Sequence, residues 1–381
     1  MLLKNGMIHD AVHEEAYLSD ILMKDGKIAA IDVNLDPQGE EVIDIQGLDV
    51  YPGFVEAHGH IGLDGYGIGY ERQDYNEHND ICCPQLRAID AIHPGDQALI
   101  EAAEAGVTTL NVGPGSANVL GGTFAAIKPV GMRIEKMIVK AETAMKCAFG
   151  ENPKRCYRDK SDSSRMTTAA HLRGMLFKAQ EYTRKYDAAN GDVEKMPAFD
   201  FKLHALMPVI KGELPLKAHA HQADDLFTAI RIAKEFGVKL TLEHVTEGHL
   251  IADELAEEGY MLAVGPTLGH ATKFELQEKS WITPGVLAKK GCHVSIITDS
   301  PVIPQKYLPI CAGLAVKAGM GKFDALKAIT INPAEHIGIA DRVGSLEVGK
   351  DADVVVCNGD PMEISCVNKY VFINGKNILA D

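Results

Sequence analysis

The sequence predicts an α/β chain in which a closed parallel barrel sits beside a small β domain assembled from both ends of the chain. Three observations lead there. Apolar strand-like runs alternate with amphipathic helical runs through the middle of the sequence. The two ends carry only short β runs and turn signals. Residues able to bind a metal recur at the carboxyl ends of several apolar runs, and in a parallel barrel those ends converge on one face.

The amino-terminal segment alternates short β runs with turns, as in Ile21 to Ile31, where Asp25-Gly26 marks a hairpin. The carboxyl-terminal segment does the same through Asp353 to Cys357 and Tyr370 to Lys376. Neither set can bury a face alone, so the ends are expected to combine. The expected division is a β-sandwich from 1–50 and 345–381 and a barrel over 51–344.

Within the barrel region, Pro94-Gly95-Asp96 opens a helix that stops at Gly106, and Val107 to Val112 follows as a strand. Asp224 to Phe236 is an amphipathic helix stopped by Gly237, with a strand over Val238 to Leu242. Thr246 to Glu258 repeats the pattern with Gly259 as its stop, and Met261 to Val264 is the next strand. Glu151 to Leu214 is the least regular stretch. Its helix-prone part, Thr168 to Tyr186, reads as an excursion over the site rather than an empty loop.

A length of 381 residues suits a barrel with an accessory domain. The net charge of −15 disfavours nucleic acid and anionic membrane surfaces as partners. The chain starts with a turn rather than an apolar leader, and no run reaches membrane-spanning length, so a soluble cytoplasmic protein is expected. The eight cysteines are scattered, and the adjacent Cys82-Cys83 has neither zinc-site nor redox spacing. A small-molecule substrate is the expected partner, with homo-oligomerisation left open.

The chemistry gathers at His58 and His60, which close the apolar run Phe54 to Ala57. Alternate strand residues face the same side, so both rings can reach one ion. Three more apolar runs end in a ligand: Leu216 to Ala218 in His219, Leu240 to Glu243 in His244, and Val294 to Thr298 in Asp299. Four strand ends meeting on one barrel face would bring these five side chains to a common metal centre.

With these ligands in place, the chain resembles the amidohydrolase superfamily, and within it the imidazolonepropionase-like branch. The matching stretches are Tyr51 to His60, Leu242-Glu243-His244, Thr298 to Pro301, Asn332-Pro333-Ala334 and Gly344 to Asp353. The resemblance implies a distorted (β/α)8 TIM barrel with a composite β-sandwich and a hydrolytic site of one or two divalent ions. Zn2+ is preferred over Mn2+ or Fe2+ because the site is rich in histidine.

Carried onto this chain, the family pattern makes His58 and His60 first-strand ligands, and His219 and His244 the fifth- and sixth-strand ligands. Asp299 becomes both ligand and general base/acid. A bridging ligand would come from Glu151, at a glycine-marked strand end, with a carboxylated Lys146 as the alternative. His221, Asn118 and Arg155 are the expected substrate contacts.

The implied reaction is hydrolysis of a non-peptide C–N bond in a cyclic amide, an N-acyl compound or a dipeptide-like amide. One-metal opening of an imidazolone ring and a catalytically silent scaffold are the competing readings. Related deaminases carry a glutamate three residues after the fifth-strand histidine. Here that position is Gln222, which cannot carry a proton at useful pH.

Overall fold

The computed structural model describes residues 1–379, so 380–381, at the end of the expected β-sandwich segment, lie outside the described residues. Five strands come first: β1 (Leu2–Ile8), β2 (Tyr17–Lys24), β3 (Lys27–Asp32), β4 (Val42–Asp44) and β5 (Asp49–Pro52). Eight follow through the middle: β6 (Phe54–Gly59), β7 (Val107–Val112), β8 (Leu120–Ile127), β9 (Ile138–Ala148), β10 (Leu216–Ala220), β11 (Leu240–His244), β12 (Met261–Val264) and β13 (Val294–Ile296). The last three are β14 (Val354–Cys357), β15 (Asn368–Ile373) and β16 (Lys376–Asn377).

Strands from the two ends of the chain form one sheet in the order β16-β15-β14-β5-β1-β2-β3, with β4 also paired to β1. The join is β14 running antiparallel to β5, Val354 opposite Pro52 and Cys357 opposite Asp49. A shared core of Leu3, Ile21, Ile28, Val50, Val354 and Phe372 explains why neither end needs to fold alone. Both hairpins read from the sequence form. Asp25 and Gly26 take φ of 52° and 77°, and Asn374 and Gly375 take 49° and 73°, the left-handed pair that a two-residue hairpin turn requires.

The second sheet, β6 to β13, curls into a nearly closed barrel. Neighbours pair in parallel except at β8, which runs antiparallel to both β7 and β9. This corrects the expectation of an all-parallel barrel. Only a short loop joins β7 to β8, too short for the helical crossover that a parallel strand needs.

Helices follow most of the predicted signals. Asp96 caps the helix Gln97–Glu104 by accepting from the Ala98 amide, and Gly237 ends Ala223–Phe236 in a left-handed turn. Ser164 starts the excursion helix Arg165–Ala189. The helix expected from Thr246 begins later, at Ala252. His244 and Val245 sit at φ of 76° and 47°, so the chain turns sharply after β11 before it can wind.

β13 and β6 share no ladder, and Glu56 bridges the seam. Its carboxylate accepts from the His58 amide (3.0 Å), the Thr298 amide (3.0 Å), Thr298 Oγ1 (2.6 Å) and Gln305 Nε2 (2.8 Å). Glu56→Ala would leave three buried donors, the His58 and Thr298 amides and Gln305 Nε2, without this acceptor, at a cost of roughly 3 kcal/mol or more. The check is the denaturant midpoint of the purified variant. A loss below about 1 kcal/mol would mean that the barrel closes without this bridge.

All eight cysteines are free. No helix among the described residues is long and apolar enough to cross a membrane.

Candidate metal centre

The carboxyl ends of β6, β10 and β11 and the residues just after β13 bring His58, His60, His219, His244 and Asp299 together at one end of the barrel. Two ligand groups result. His219, His221 and His244 form one, and His58, His244 and Asp299 form the other, the ligand atoms within each group lying within 4.8 Å of one another. His244 belongs to both. His60 joins the second group through Asp299, its Nε2 lying 3.1 Å from Asp299 Oδ1, while His58 Nε2 lies 3.7 Å from the same oxygen.

The orientation of the rings follows from their outer nitrogens. His60 Nδ1 lies 2.7 Å from the Gly113 carbonyl, His244 Nδ1 lies 2.9 Å from the Gly265 carbonyl, and His58 Nδ1 lies 3.1 Å from Glu243 Oε2. Carbonyl and carboxylate oxygens only accept, so each Nδ1 carries the proton and each Nε2 presents a lone pair to the interior. Burial holds the imidazoles of His58, His219 and His221 well below their usual pKa and His244 down at about 4, which keeps them neutral. Neutral imidazole is the form that binds metal.

His219 Nδ1, His219 Nε2 and His244 Nε2 are buried without any hydrogen-bond partner. Leaving such atoms unpaired is costly, and a shared cation would satisfy the inward-facing ones. On this observation the donor set fits a divalent metal.

Sequence reasoning passed over the groups that support the ring of His58. Glu243, fully buried beside His244, accepts from Lys217 Nζ at 2.7 Å and faces His336 Nε2 at 2.9 Å. Burial pushes its carboxyl up, but Lys217 and His336 outweigh that and hold it well below the usual range. Its position directly before a ligand histidine was the available signal, but its partners come from remote segments.

Of the two candidate bridges, the barrel brings in Lys146. It lies in β9, fully buried, with Nζ 3.2 Å from His58 Nε2. Glu151 does not reach either ligand group. It begins the helix Glu151–Cys156, its side chain is one-third exposed, and its Oε1 lies 3.7 Å from Arg155 Nη1. The strand runs on to Ala148, so Glu151 falls past the barrel rim.

The expected substrate contacts separate in the same way. His221 stands in the ligand cluster, with Nδ1 2.7 Å from Thr246 Oγ1. Asn118 is turned away: its amide donates to the Glu77 and Asp80 carbonyls and to the Tyr157 hydroxyl, pinning the loop after β6. Arg155 is exposed and bonded to Asn152. Gln222 accepts from Arg165 Nη2 at 2.6 Å, which leaves it no part in the cluster.

A cavity of about 1370 Å³ is lined by none of the cluster's five histidines. It comes nearest through Tyr75, whose ring stacks on His60 at 5.5 Å, and through Gly121, where an added Cβ would sit 3.5 Å from Lys146 Cγ.

With this geometry in hand, comparison with known proteins is decisive at the level of family. A sequence profile of the amidohydrolase family matches residues 50–378. The chain belongs to the amidohydrolase family. A solved amidohydrolase from Thermotoga maritima is similar over all of both chains, at 38% identity and a TM-score of 0.96. An imidazolonepropionase from Thermoplasma acidophilum is 26% identical over 88% of this amidohydrolase and 82% of its own length. The amidohydrolase tasK of Hapsidospora irregularis is 26% identical over 94% of this chain, which spans only 40% of that relative.

Proposed function

We propose that this amidohydrolase is a metal-dependent hydrolase of a non-peptide C–N bond in a small molecule, with Zn2+ at the His58, His60, His219, His244 and Asp299 cluster. The observation that carries this reading is the set of buried imidazoles gathered at one barrel end, with Nδ1 of His58, His60 and His244 held from outside and Nε2 of His219 and His244 left without a partner. That arrangement wastes hydrogen bonds unless a cation occupies the interior. The two ligand groups together offer donors enough for two cations, with His244, whose one free lone pair is at Nε2, serving one of them.

A divalent cation bound there would supply a water of lowered pKa, about 7, and polarise the scissile carbonyl as a Lewis acid. The chain's own residues do the rest. Asp299 is the proton carrier. Burial raises its carboxyl, but His244, His60 and His58 outweigh that and hold it well below the ordinary range, so it is ionised. It takes up a proton and returns it to the leaving nitrogen. Asp299 has a left-handed backbone, φ 51°, which is unfavourable for a residue with a Cβ and points to a conformation kept for position.

Lys146 is the preferred bridge in this reading. Burial pushes its amine down to about 8, so a useful fraction is neutral near physiological pH. The neutral nitrogen can add to carbon dioxide, forming an N–C bond and releasing a proton, to give a carbamate whose two oxygens can span the ligand groups. Lys146→Met would then lower kcat/KM by roughly 10²-fold or more. The mass of the intact wild-type protein should show one carboxylate adduct that the variant lacks. Full activity in the variant would reject the bridge.

The substrate class is tested by presenting metal-loaded enzyme with cyclic amides, N-acyl amino acids, dipeptide-like amides and imidazolone propionate. Turnover of one of the first three classes is expected. Turnover of imidazolone propionate with a single metal per chain would favour the one-metal ring-opening reading suggested by the similarity to imidazolonepropionase. Failure across the whole panel and across lactones would favour a silent scaffold.

A further inference from the structure

A carboxylate that the family pattern leaves unused reaches the cluster from outside the barrel strands. Glu275 lies in the segment after β12, in the short turn Phe274–Leu276, and is buried. Its Oε1 is 3.6 Å from His221 Nε2 and 3.8 Å from His219 Nε2. Ligand atoms held about 2.0 to 2.2 Å from one cation lie roughly 3 to 4 Å from each other, so this spacing matches joint ligation. His219 Nε2 and His244 Nε2 have no hydrogen-bond partner, and Glu275 Oε1 accepts no hydrogen bond either.

The surroundings place this carboxylate with care. The Glu151 amide donates to Glu275 Oε2 at 2.9 Å, which fixes the carboxylate plane and leaves Oε1 turned to the imidazoles. Gly150, at φ +78°, makes room: a Cβ there would fall 2.5 Å from Glu275 Oε2. The one cation beside Oε1 is Lys273 Nζ, at 2.6 Å in an ion pair without hydrogen-bond alignment. Lys273 also donates to Asn152 Oδ1 at 3.1 Å, so it has a second partner to turn to.

We propose that Glu275 is a direct metal ligand, joining the His219, His221 and His244 group through its neighbours His219 and His221. This rests on the metal-dependent reading above and adds to it a ligand from a segment outside the barrel strands. Three imidazoles and one carboxylate make a nitrogen and oxygen donor set suited to zinc, which can expand to five-coordinate and so still admit a further ligand. Lys273 competes with the ion for Oε1 and shifts to Asn152 when the ion binds.

Zn2+ affinity of metal-stripped full-length protein, measured by competition with a chromogenic chelator, tests the proposal. Glu275→Gln keeps the shape of the side chain and should weaken one class of Zn2+ site by about 10- to 100-fold or more, since loss of even an indirect support costs that much. Lys273→Met should tighten the same class several-fold, an effect that mere structural damage would not give. Metal-stripped variants should unfold at the wild-type temperature.

Wild-type affinity in Glu275→Gln overturns the ligand assignment while leaving the metal-dependent reading intact. If that variant fails to fold, Lys273→Met decides, and unchanged or weaker binding there overturns it. A wild-type protein that takes up no Zn2+ defeats both the assignment and the reading on which it rests.

Discussion

His244→Asn is expected to strip the centre of metal and lower kcat/KM by at least ~10³-fold. His244 is the one residue common to both ligand groups, so its loss removes the Nε2 donor at the point where the two meet. The cation it holds would be bound more weakly by more than the roughly 10- to 100-fold that follows loss of a supporting residue alone. Asparagine retains a polar side chain but offers no imidazole Nε2. The fold should survive, because the Nδ1 contact to the Gly265 carbonyl is a single hydrogen bond at the barrel rim. Metal content and kcat/KM are measured on the same preparation. Full metal occupancy in the variant would show that the two groups do not share this ligand.

Asp299→Asn is expected to separate binding from chemistry. The amide is nearly the same shape and can still offer an oxygen, but it cannot take or return a proton at any useful pH. Loss of a positioned proton carrier costs about 10²- to 10⁴-fold in kcat, with KM and metal content changed far less. His60 Nε2, 3.1 Å from Asp299 Oδ1, reports on the same side chain. A variant that kept kcat within about threefold of the wild type would remove Asp299 from the proton path. A variant that lost its metal entirely would make ligation its main role.

The resemblance and the residues together made much of this centre readable before any coordinates. His58, His60, His219, His244 and Asp299 each follow an apolar run, and glycines such as Gly237 and Gly259 end the helices between them. These signals are local, because strand alternation and left-handed helix stops depend on neighbouring residues alone. The reversal of β8 was not readable. Its residues, Leu120 to Ile127, are apolar whichever way the strand runs, and direction is set by its partners β7 and β9.

The choice between Glu151 and Lys146 turned on where β9 ends. A glycine at 150 suggested a strand end next to Glu151, whereas the strand stops at Ala148 and Gly150 precedes a helix. Strand boundaries are the least certain part of such a reading, and a shift of two or three residues moved the preferred bridge out of the cluster. Glu275, Lys217 and His336 were missed for another reason. Each meets the centre through contacts across long stretches of chain, which no periodicity encodes.

Zn2+ titration of the metal-stripped wild-type protein tests the central claim most directly. The account predicts tight uptake of about two ions per chain, with at least one of them lost in His244→Asn. A chain that binds no divalent ion, or that binds Zn2+ equally well with and without His244, would contradict it.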